Sequence, residues 1–179
     1  NRLVFSDGKY YSTTGGELVT NGTFDTDITG WTDSSTGTGS ASSVSSSLNL
    51  VSVDSSNRGI VKQSFTTEIG KEYRISIYCS QAGGGSIAQL GETDGGQEYI
   101  SKDWGTDGIG LLDYTFVALG TTTYLTIYGS YITTLTSIYD NISVYKKEAT
   151  LDTALTTPIS LIPNPVMVQS ETPMYIDYS

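Results

Sequence analysis

Short segments in which apolar and polar residues alternate recur along most of this chain. The clearest segment places Tyr73, Ile75, Ile77 and Cys79 on one parity and Arg74, Ser76 and Tyr78 on the other. Because successive side chains of a β-strand point to opposite faces of a sheet, this alternation predicts a strand with one buried face. No segment of about eleven residues shows the 3.6-residue period of an amphipathic helix. The chain is therefore predicted to be an all-β protein.

The residue composition agrees with an all-β fold. A length of 179 residues is enough for one domain of ordinary size with terminal segments. The chain contains 13 tyrosines, which favour strands, and 20 glycines, which favour turns. Roughly eight to ten short strands separated by turn signals are typical of this architecture. We therefore predict a jelly-roll β-sandwich with extended N- and C-terminal segments.

Charge and residue usage exclude several classes of function. The 19 acidic and 9 basic residues give a net charge of −10, which disfavours nucleic acid and anionic membranes as partners. The chain has no histidine, so a Ser-His-Asp or Cys-His catalytic site and imidazole metal ligands are excluded. Cys79 is the only cysteine, so no intrachain disulfide can form, and its place in an apolar alternation predicts a buried thiol.

Acidic residues are the remaining candidates for catalysis. Asp103, Asp107 and Asp113 could in principle supply the two carboxylates of a glycosidase. The acidic residues lie mainly in turn-like contexts, as on a solvated surface. Except for Asp140, none has apolar sequence neighbours that would raise its pKa. The chain is therefore predicted not to be an enzyme.

The chain divides into three segments. Residues 1–16 have the pattern of a hairpin, residues 17–147 hold the regular strand signals, and residues 148–179 contain all 4 prolines among many apolar residues. Proline cannot complete a sheet ladder, so the last segment is predicted to be an extended arm. Its apolar side chains need cover. We expect residues 1–16 and 149–179 to dock on this domain or on neighbouring subunits, giving a homo-oligomer or a virion contact.

Four stretches resemble one family of proteins. They are residues 17–25 with Gly30-Trp31-Thr32, residues 61–65, residues 69–76, and residues 138–144. In this order they resemble carbohydrate-binding modules of the galactose-binding-like jelly-roll type, the group numbered four and nine. Modules of this type also occur on the tails, fibres and capsids of bacteriophages. The resemblance covers residues 17–147 and implies a jelly-roll fold.

The opening motif also suggests structural roles. Phe24 and Trp31 are large apolar residues that we expect in the core. No cofactor is required by any feature of the sequence. The resemblance implies a structural calcium ion held by Asp25 and Asp140 with backbone oxygens near Thr23. Asp140 shares the parity of the inward-facing Ile142. The alternative is that Asp140 caps backbone N–H groups of the first strand.

Sugar binding needs flat apolar faces and a few fixed polar groups. The candidate residues are Trp104 and Tyr99 in the long loop of residues 91–110, Tyr78, Tyr124 and Tyr128 on the outer parity of strands, and Gln89 and Arg74 as hydrogen-bonding groups. The alternative is that these tyrosines only cover sheet faces and subunit contacts.

Two functions remain open. The first is a non-catalytic structural component of a phage-like virion or surface assembly, such as a decoration, fibre or appendage protein, with weak glycan adhesion. The second is a carbohydrate-binding module or lectin that acts through aromatic residues on a sheet face or loop. Both functions predict a location on the virion surface or outside the cell.

Overall fold

A computed structural model describes residues 3–6, 9–12, 16–132 and 134–147. The first unit contains the strands β1 (Leu3–Ser6) and β2 (Lys9–Ser12), which pair antiparallel with Leu3 opposite Ser12. This is the hairpin expected from the turn signal between the two strands. Residues 148–179, for which an extended arm is predicted, lie outside the described residues.

Among its described residues, the second unit holds ten strands and one short helix. These are β3 (Thr32–Asp33), β4 (Ser40–Ser43), β5 (Leu48–Ser52), β6 (Ile60–Thr66), β7 (Glu72–Gln81), β8 (Ile87–Gly91), β9 (Ile100–Asp103), α1 (Trp104–Asp107), β10 (Gly110–Val117), β11 (Thr122–Tyr128) and β12 (Leu135–Lys146). Sheet I has the order β10-β7-β12-β5-β4, and sheet II has the order β3-β6-β11-β8-β9. All neighbouring strands are antiparallel. The predicted all-β jelly-roll sandwich is therefore confirmed for this unit.

The core lies between the two sheets and follows the predicted alternation. Tyr73, Ile75, Ile77 and Cys79 of β7 are buried, and so are Val61, Phe65, Leu125 and Ile127 of sheet II. Fully burying an Ile or Leu side chain stabilises the folded state by about 1.5–3 kcal/mol. Burial also raises the pKa of the Cys79 thiol to about 12, so the thiol stays protonated near neutral pH.

Two aromatic side chains from the segment before β3 also belong to the core. Phe24 and Trp31 are buried with ring centroids 5.5 Å apart. The Trp31 indole N–H donates to the carbonyl oxygen of Asn21 at 3.2 Å. The prediction that both rings belong to the core is confirmed.

The unit begins and ends at adjacent positions. Glu17 forms an antiparallel bridge with Tyr145, and the N–H of Leu18 donates to the carbonyl oxygen of Val144 at 2.8 Å. The Glu17 carboxylate also accepts the N–H of Val144 at 2.7 Å. These bonds join the entry of the sandwich to its last strand.

A bulge in β12 overturns one sequence prediction. The pairing of β12 with β7 shifts register between Asp140 and Ser143, and Asn141 has a φ of 52°. A bulge inserts an extra residue and reverses the parity beyond it. Tyr139 and Ile142 therefore both face the core, and Asp140 is only partly buried. The expectation that Asp140 points inward with Ile142 was wrong.

The long loop of residues 91–110 is more structured than the sequence suggests. It contains a strand, β9, followed by a short helix, α1, and the sequence analysis predicted neither of them. Asp103 caps this single turn by accepting the N–H of Gly105 at 2.8 Å. Among residues 16–132 and 134–147, no helix is long and apolar enough to cross a membrane.

Candidate functional site

The outer face of sheet II carries polar and aromatic side chains that the core does not use. The strand period points Lys62 and Ser64 of β6, and Tyr124, Thr126 and Tyr128 of β11, away from the core. Tyr124 pairs with Ser64, and Thr126 lies between Lys62 and Gln89 of β8. These side chains form a continuous surface across three neighbouring strands.

A groove of about 230 Å³ lies on this face. Its lining residues are Thr32, Ser34, Lys62, Gln63, Ser64, Asp94, Tyr124 and Thr126. β6 and β11 form the floor, β3 and Ser34 lie on one side, and Asp94 comes from the loop that follows β8. The groove therefore combines one aromatic ring with hydroxyl, ammonium and carboxylate groups.

An ion pair joins the floor of the groove to its side. The Lys62 Nζ atom lies 2.7 Å from an Asp94 carboxylate oxygen, and the Thr126 hydroxyl donates to the other oxygen at 3.4 Å. An exposed ion pair of this kind contributes only about 0–1 kcal/mol to stability. Its main effect is to hold a strong donor and a strong acceptor side by side at the groove.

A glycine lets the loop after β8 approach the sheet. A Cβ atom at Gly95 would lie 3.3 Å from the Tyr128 hydroxyl oxygen, and Gly95 has a φ of 73°. The loop is also held by Glu98, which accepts the N–H of Glu92 at 3.1 Å. Tyr128 therefore lies against the loop at one end of the face.

Arg58 supports the same tyrosine. Its guanidinium carbon lies 4.4 Å from the ring centroid of Tyr128 and 5.3 Å from that of Tyr131. Its Nε donates to the carbonyl oxygen of Gly129 at 2.8 Å, and Nη2 donates to that of Gly85. Burial lowers the pKa of the Arg58 guanidinium. Arg58 thus fixes two aromatic rings at the end of sheet II.

Three of the predicted glycan-binding residues meet on this face. Tyr124, Tyr128 and Gln89 all lie on the outer side of sheet II. Lys62, Asp94 and Arg58 belong to the same region but were not predicted from the sequence. Lys62 alternates with the buried residues of β6, so the sequence could have placed it on the outer face. Asp94 and Arg58 lie in loops, where no strand period indicates which way a side chain points.

Trp104 cannot bind a sugar through its ring in this conformation. It is 2% exposed, and its indole N–H donates to the carbonyl oxygen of Gly110 at 3.2 Å. Its ring centroid lies 5.4 Å from that of Tyr139 in an edge-to-face arrangement. The expectation that Trp104 offers a binding face was therefore wrong, because α1 turns this side chain into the core.

Tyr99 also has a structural environment. Its ring lies 4.8 Å from the ring of Phe116, measured between centroids. Its hydroxyl donates to Glu92 at 3.2 Å and accepts the N–H of Leu119 at 2.8 Å. Burial raises the pKa of this hydroxyl. These contacts tie the loop to β10 and leave Tyr99 away from the groove lining.

Arg74 and Tyr78 lie on the outer face of sheet I, on the opposite side of the sandwich. The Arg74 Nε donates to Asp113 at 2.5 Å, and Nη1 donates to the Tyr145 hydroxyl at 2.8 Å. These bonds occupy the guanidinium. Because Tyr124 is on the outer face of sheet II, these two predicted residues cannot join it in a single site.

The three residues of the predicted calcium site have local partners. Asp25 accepts the Thr23 hydroxyl at 3.0 Å, and Asp140 accepts the backbone N–H of Asn141 at 2.7 Å. Calcium prefers six to eight oxygen ligands. No cluster of three or more acidic or sulfur ligands occurs among the described residues. The side chains described here do not make a complete calcium site, and the ion stays a prediction.

The acidic residues considered for catalysis are engaged elsewhere. Asp103 caps α1. Hydrogen bonds from Lys102 lower the pKa of Asp107, and hydrogen bonds from Arg74 lower the pKa of Asp113. A general acid of a glycosidase needs a raised pKa instead.

Neither sequence comparison gives a match, whereas solved structures with this fold are known. No protein-family model matches the sequence, and no curated protein matches it. The enzymatically active domain of tailspike protein 4 from bacteriophage CBA120 has a TM-score of 0.54 at 17% identity. That likeness covers 73% of this chain but only 21% of the tailspike chain.

Two solved carbohydrate-binding modules match over nearly their whole length. A family 4 module has a TM-score of 0.52 at 16% identity and covers 72% of this chain and 99% of its own. A family 61 module, solved in complex with β-1,4-galactotriose, has a TM-score of 0.53 at 11% identity and covers 74% and 99%. Identities this low establish only the architecture. The sandwich of this chain therefore has the jelly-roll fold that carbohydrate-binding modules share.

Proposed function

We propose that the chain is a glycan-binding module whose ligand lies in the groove on the outer face of sheet II. The observation that carries this proposal is the grouping of Tyr124 and Tyr128 with Lys62, Asp94 and Gln89 on a face that the core does not need. The fold shared with carbohydrate-binding modules supports the same function.

The chemistry of the face suits a neutral sugar. Tyrosine rings bind the C–H faces of a pyranose, and the polar groups bind its hydroxyls. A hydroxyl is both donor and acceptor, and the Lys62–Asp94 pair offers a donor beside an acceptor with no net charge. At about 230 Å³ the groove is smaller than a typical ligand pocket, so we expect weak binding, with a Kd of about 0.1–1 mM, or about −4 to −5.5 kcal/mol.

A glycan array followed by titration calorimetry tests the proposal. Tyr124→Ala should weaken binding about tenfold, which corresponds to about 1.4 kcal/mol. Tyr78→Ala is the matched control, because Tyr78 is also a partly exposed strand tyrosine but lies on sheet I. Binding to no glycan, or equal losses in both variants, would contradict the proposal.

A second proposal concerns where the module acts. It is carried as a decoration, fibre or appendage of a phage-like particle and works at the virion surface or elsewhere outside the cell. The likeness in fold to part of a phage tailspike favours this setting. Mass spectrometry of purified particles tests it, and a particle fraction without peptides of this chain would refute it.

Two expectations from the sequence remain proposals. Residues 1–16 and 149–179 dock on neighbouring subunits, so both segments should resist limited proteolysis in the assembled protein and be cleaved in a monomer. The protein requires no cofactor, so chelation by EDTA should leave the melting temperature unchanged. A clear rise on adding calcium, lost in Asp140→Asn, would instead support the ion predicted from the resemblance.

A further inference from the structure

The four edge strands of the two sheets differ in length and chemistry. β3 has 2 residues, β4 has the sequence SASS, and β9 has the sequence ISKD. β10 has 8 residues, GLLDYTFV, and pairs with β7 without a register shift. Proteins protect edge strands by shortness, charge, proline or bulges. Three edges have such protection, whereas β10 has only one charged residue, Asp113.

Exposed apolar side chains concentrate along this edge. Eleven large hydrophobic residues are exposed in the described chain, and six of them belong to β10, its flanking turns or its neighbour Tyr78. Besides Tyr78, these are Ile109, Leu111, Tyr114, Val117 and Leu119. A seventh, Ile69, lies in the turn before β7, where the N–H of Gly70 donates to the carbonyl oxygen of Ala118 at 2.7 Å. Leu111 is 63% exposed and lies opposite Tyr78 in the ladder. Leu111 and Val117 lie on the outer face with Asp113 and Thr115 between them, and Tyr114 has the opposite parity. Exposed apolar side chains concentrated along one edge in this way mark an interaction surface.

The free edge of β10 also offers backbone hydrogen bonds. Ala118 continues the β10–β7 register, and its N–H donates to the carbonyl oxygen of Lys71 at 2.9 Å. Hydrogen-bonding direction alternates along an antiparallel strand. Residues 111, 113, 115 and 117 therefore direct their N–H and C=O groups away from β7. No described strand pairs with that side of β10.

The single charge on β10 is already paired. Two nitrogen atoms of the Arg74 guanidinium donate to the Asp113 carboxylate, and these bonds lower its pKa. Asp113 therefore presents little uncompensated charge at the edge. This matters because the chain as a whole carries a net charge of −10, which opposes self-association.

We propose that β10 pairs antiparallel with β10 of a second copy across a two-fold axis at Tyr114, joining the two copies of sheet I into one sheet. In this register Leu111 faces Val117 of the second copy, and Asp113 faces Thr115 of the second copy. Residues 111, 113, 115 and 117, which face each other in these pairs, are those whose N–H and C=O groups point away from β7. An axis at Asp113 would instead place two aspartates face to face, which is destabilising.

The charges across the junction are complementary in this register. Arg74 lies opposite Thr115 in the ladder, so the row runs from Arg74 through Thr115 to Asp113 of the second copy. Neighbouring strands are about 4.8 Å apart, so this arginine and aspartate are about 10 Å apart. Each aspartate then lies between two arginines, one from each copy. The edge is thus self-complementary in register and charge, as a two-fold interface requires.

Sedimentation velocity on the full chain tests the proposal. We expect a monomer–dimer equilibrium with a Kd of about 1–500 μM, strengthened by added salt because the net charges repel. Val117→Lys should raise this Kd at least tenfold, whereas Val44→Lys should leave it unchanged. The two valines are matched, with 49% and 53% exposure, but Val44 lies between β4 and β5. A monomer at every concentration, or equal effects of both variants, would overturn the proposal.

Two further variants test the strand pairing and its register. Thr115→Pro removes an N–H that points to the free edge, so it should abolish the dimer and keep the fold. Tyr114→Cys should form a disulfide-linked dimer, whereas Leu111→Cys should not, because its partner is residue 117. The native Cys79 is buried and should not cross-link. Cross-linking at Leu111→Cys but not at Tyr114→Cys would refute the register.

Other occupants of the edge give different results. If residues 149–179 or a strand of another protein cover β10, the chain remains monomeric while the amides of residues 111, 113, 115 and 117 exchange slowly with solvent. That outcome would overturn the proposal. Because β10 belongs to sheet I, dimer formation is measured independently of glycan binding on sheet II.

Discussion

Replacing Arg58 by lysine tests how strongly one side chain organises the end of sheet II. The guanidinium donates to the carbonyl oxygens of Gly129 and Gly85 and stacks on Tyr128. Gly129 and Gly85 are buried, so a carbonyl that loses its donor has no easy replacement. A lysine keeps the charge but has a single ammonium, which cannot serve both carbonyls and lie flat on a ring.

The size of the effect follows from these contacts. A hydrogen bond from a charged donor contributes about 1.5–3 kcal/mol, and lysine retains at most one of the two. The lost stacking adds about 0.5–1 kcal/mol. The free energy of unfolding should therefore fall by about 2–4 kcal/mol, which lowers the melting temperature by about 5–15 °C. Glycan binding should weaken about threefold, because Tyr128 loses its support.

Urea unfolding and thermal melting followed by circular dichroism measure these changes. Arg74→Lys is the matched control, because Arg74 is also bound to an acceptor pair but lies at the surface of sheet I. Its replacement should cost no more than about 1 kcal/mol. The reasoning is refuted if both variants lose the same stability or if Arg58→Lys melts within about 1 °C of the parent protein.

Three further predictions concern single residues. Hydrogen bonds from Arg74 hold the pKa of Asp113 below its ordinary 3.8. The ion pair therefore stabilises the fold at pH values above 3.8, and this stabilisation is lost as the pH falls through the depressed pKa. In an acid titration, Asp113→Asn should show a shallower loss of stability than the parent protein below about pH 4. Trp104→Phe should lower the free energy of unfolding by about 1–3 kcal/mol, yet calorimetry should give an unchanged glycan affinity. Cys79 should not react with Ellman's reagent at pH 8 until urea unfolds the protein, because its pKa is raised to about 12; rapid labelling of the native protein would contradict its burial.

The sequence predicted those parts of the molecule that follow a regular period. In β7 and β11 the alternation alone assigned the buried residues and the outward tyrosines, because one face of each strand packs on the core. The Phe24–Trp31 contact was predictable for the same reason, since two large apolar residues in one motif need burial.

The errors arose where backbone geometry interrupts that period. The bulge at Asn141 reverses the parity of β12, and nothing in its local sequence fixes the bulge at that residue. Trp104 lies among acidic residues and glycines, a context that indicates a loop, but a single capped turn directs its ring inward. The Lys62–Asp94 pair joins residues 32 positions apart and depends on the loop that Gly95 permits. Such long-range contacts leave no local pattern.

The bridge between Glu17 and Tyr145 has a consequence for how this sandwich can be used. Because the first and last strands of the unit lie side by side, the unit could be inserted into a surface turn of an unrelated protein without distorting the fold of either protein. The two cut points would need to be only a few ångströms apart in the recipient. Residues 17–147 could therefore be moved as one unit, and the side chains on the outer face of sheet II would keep their arrangement in the new host.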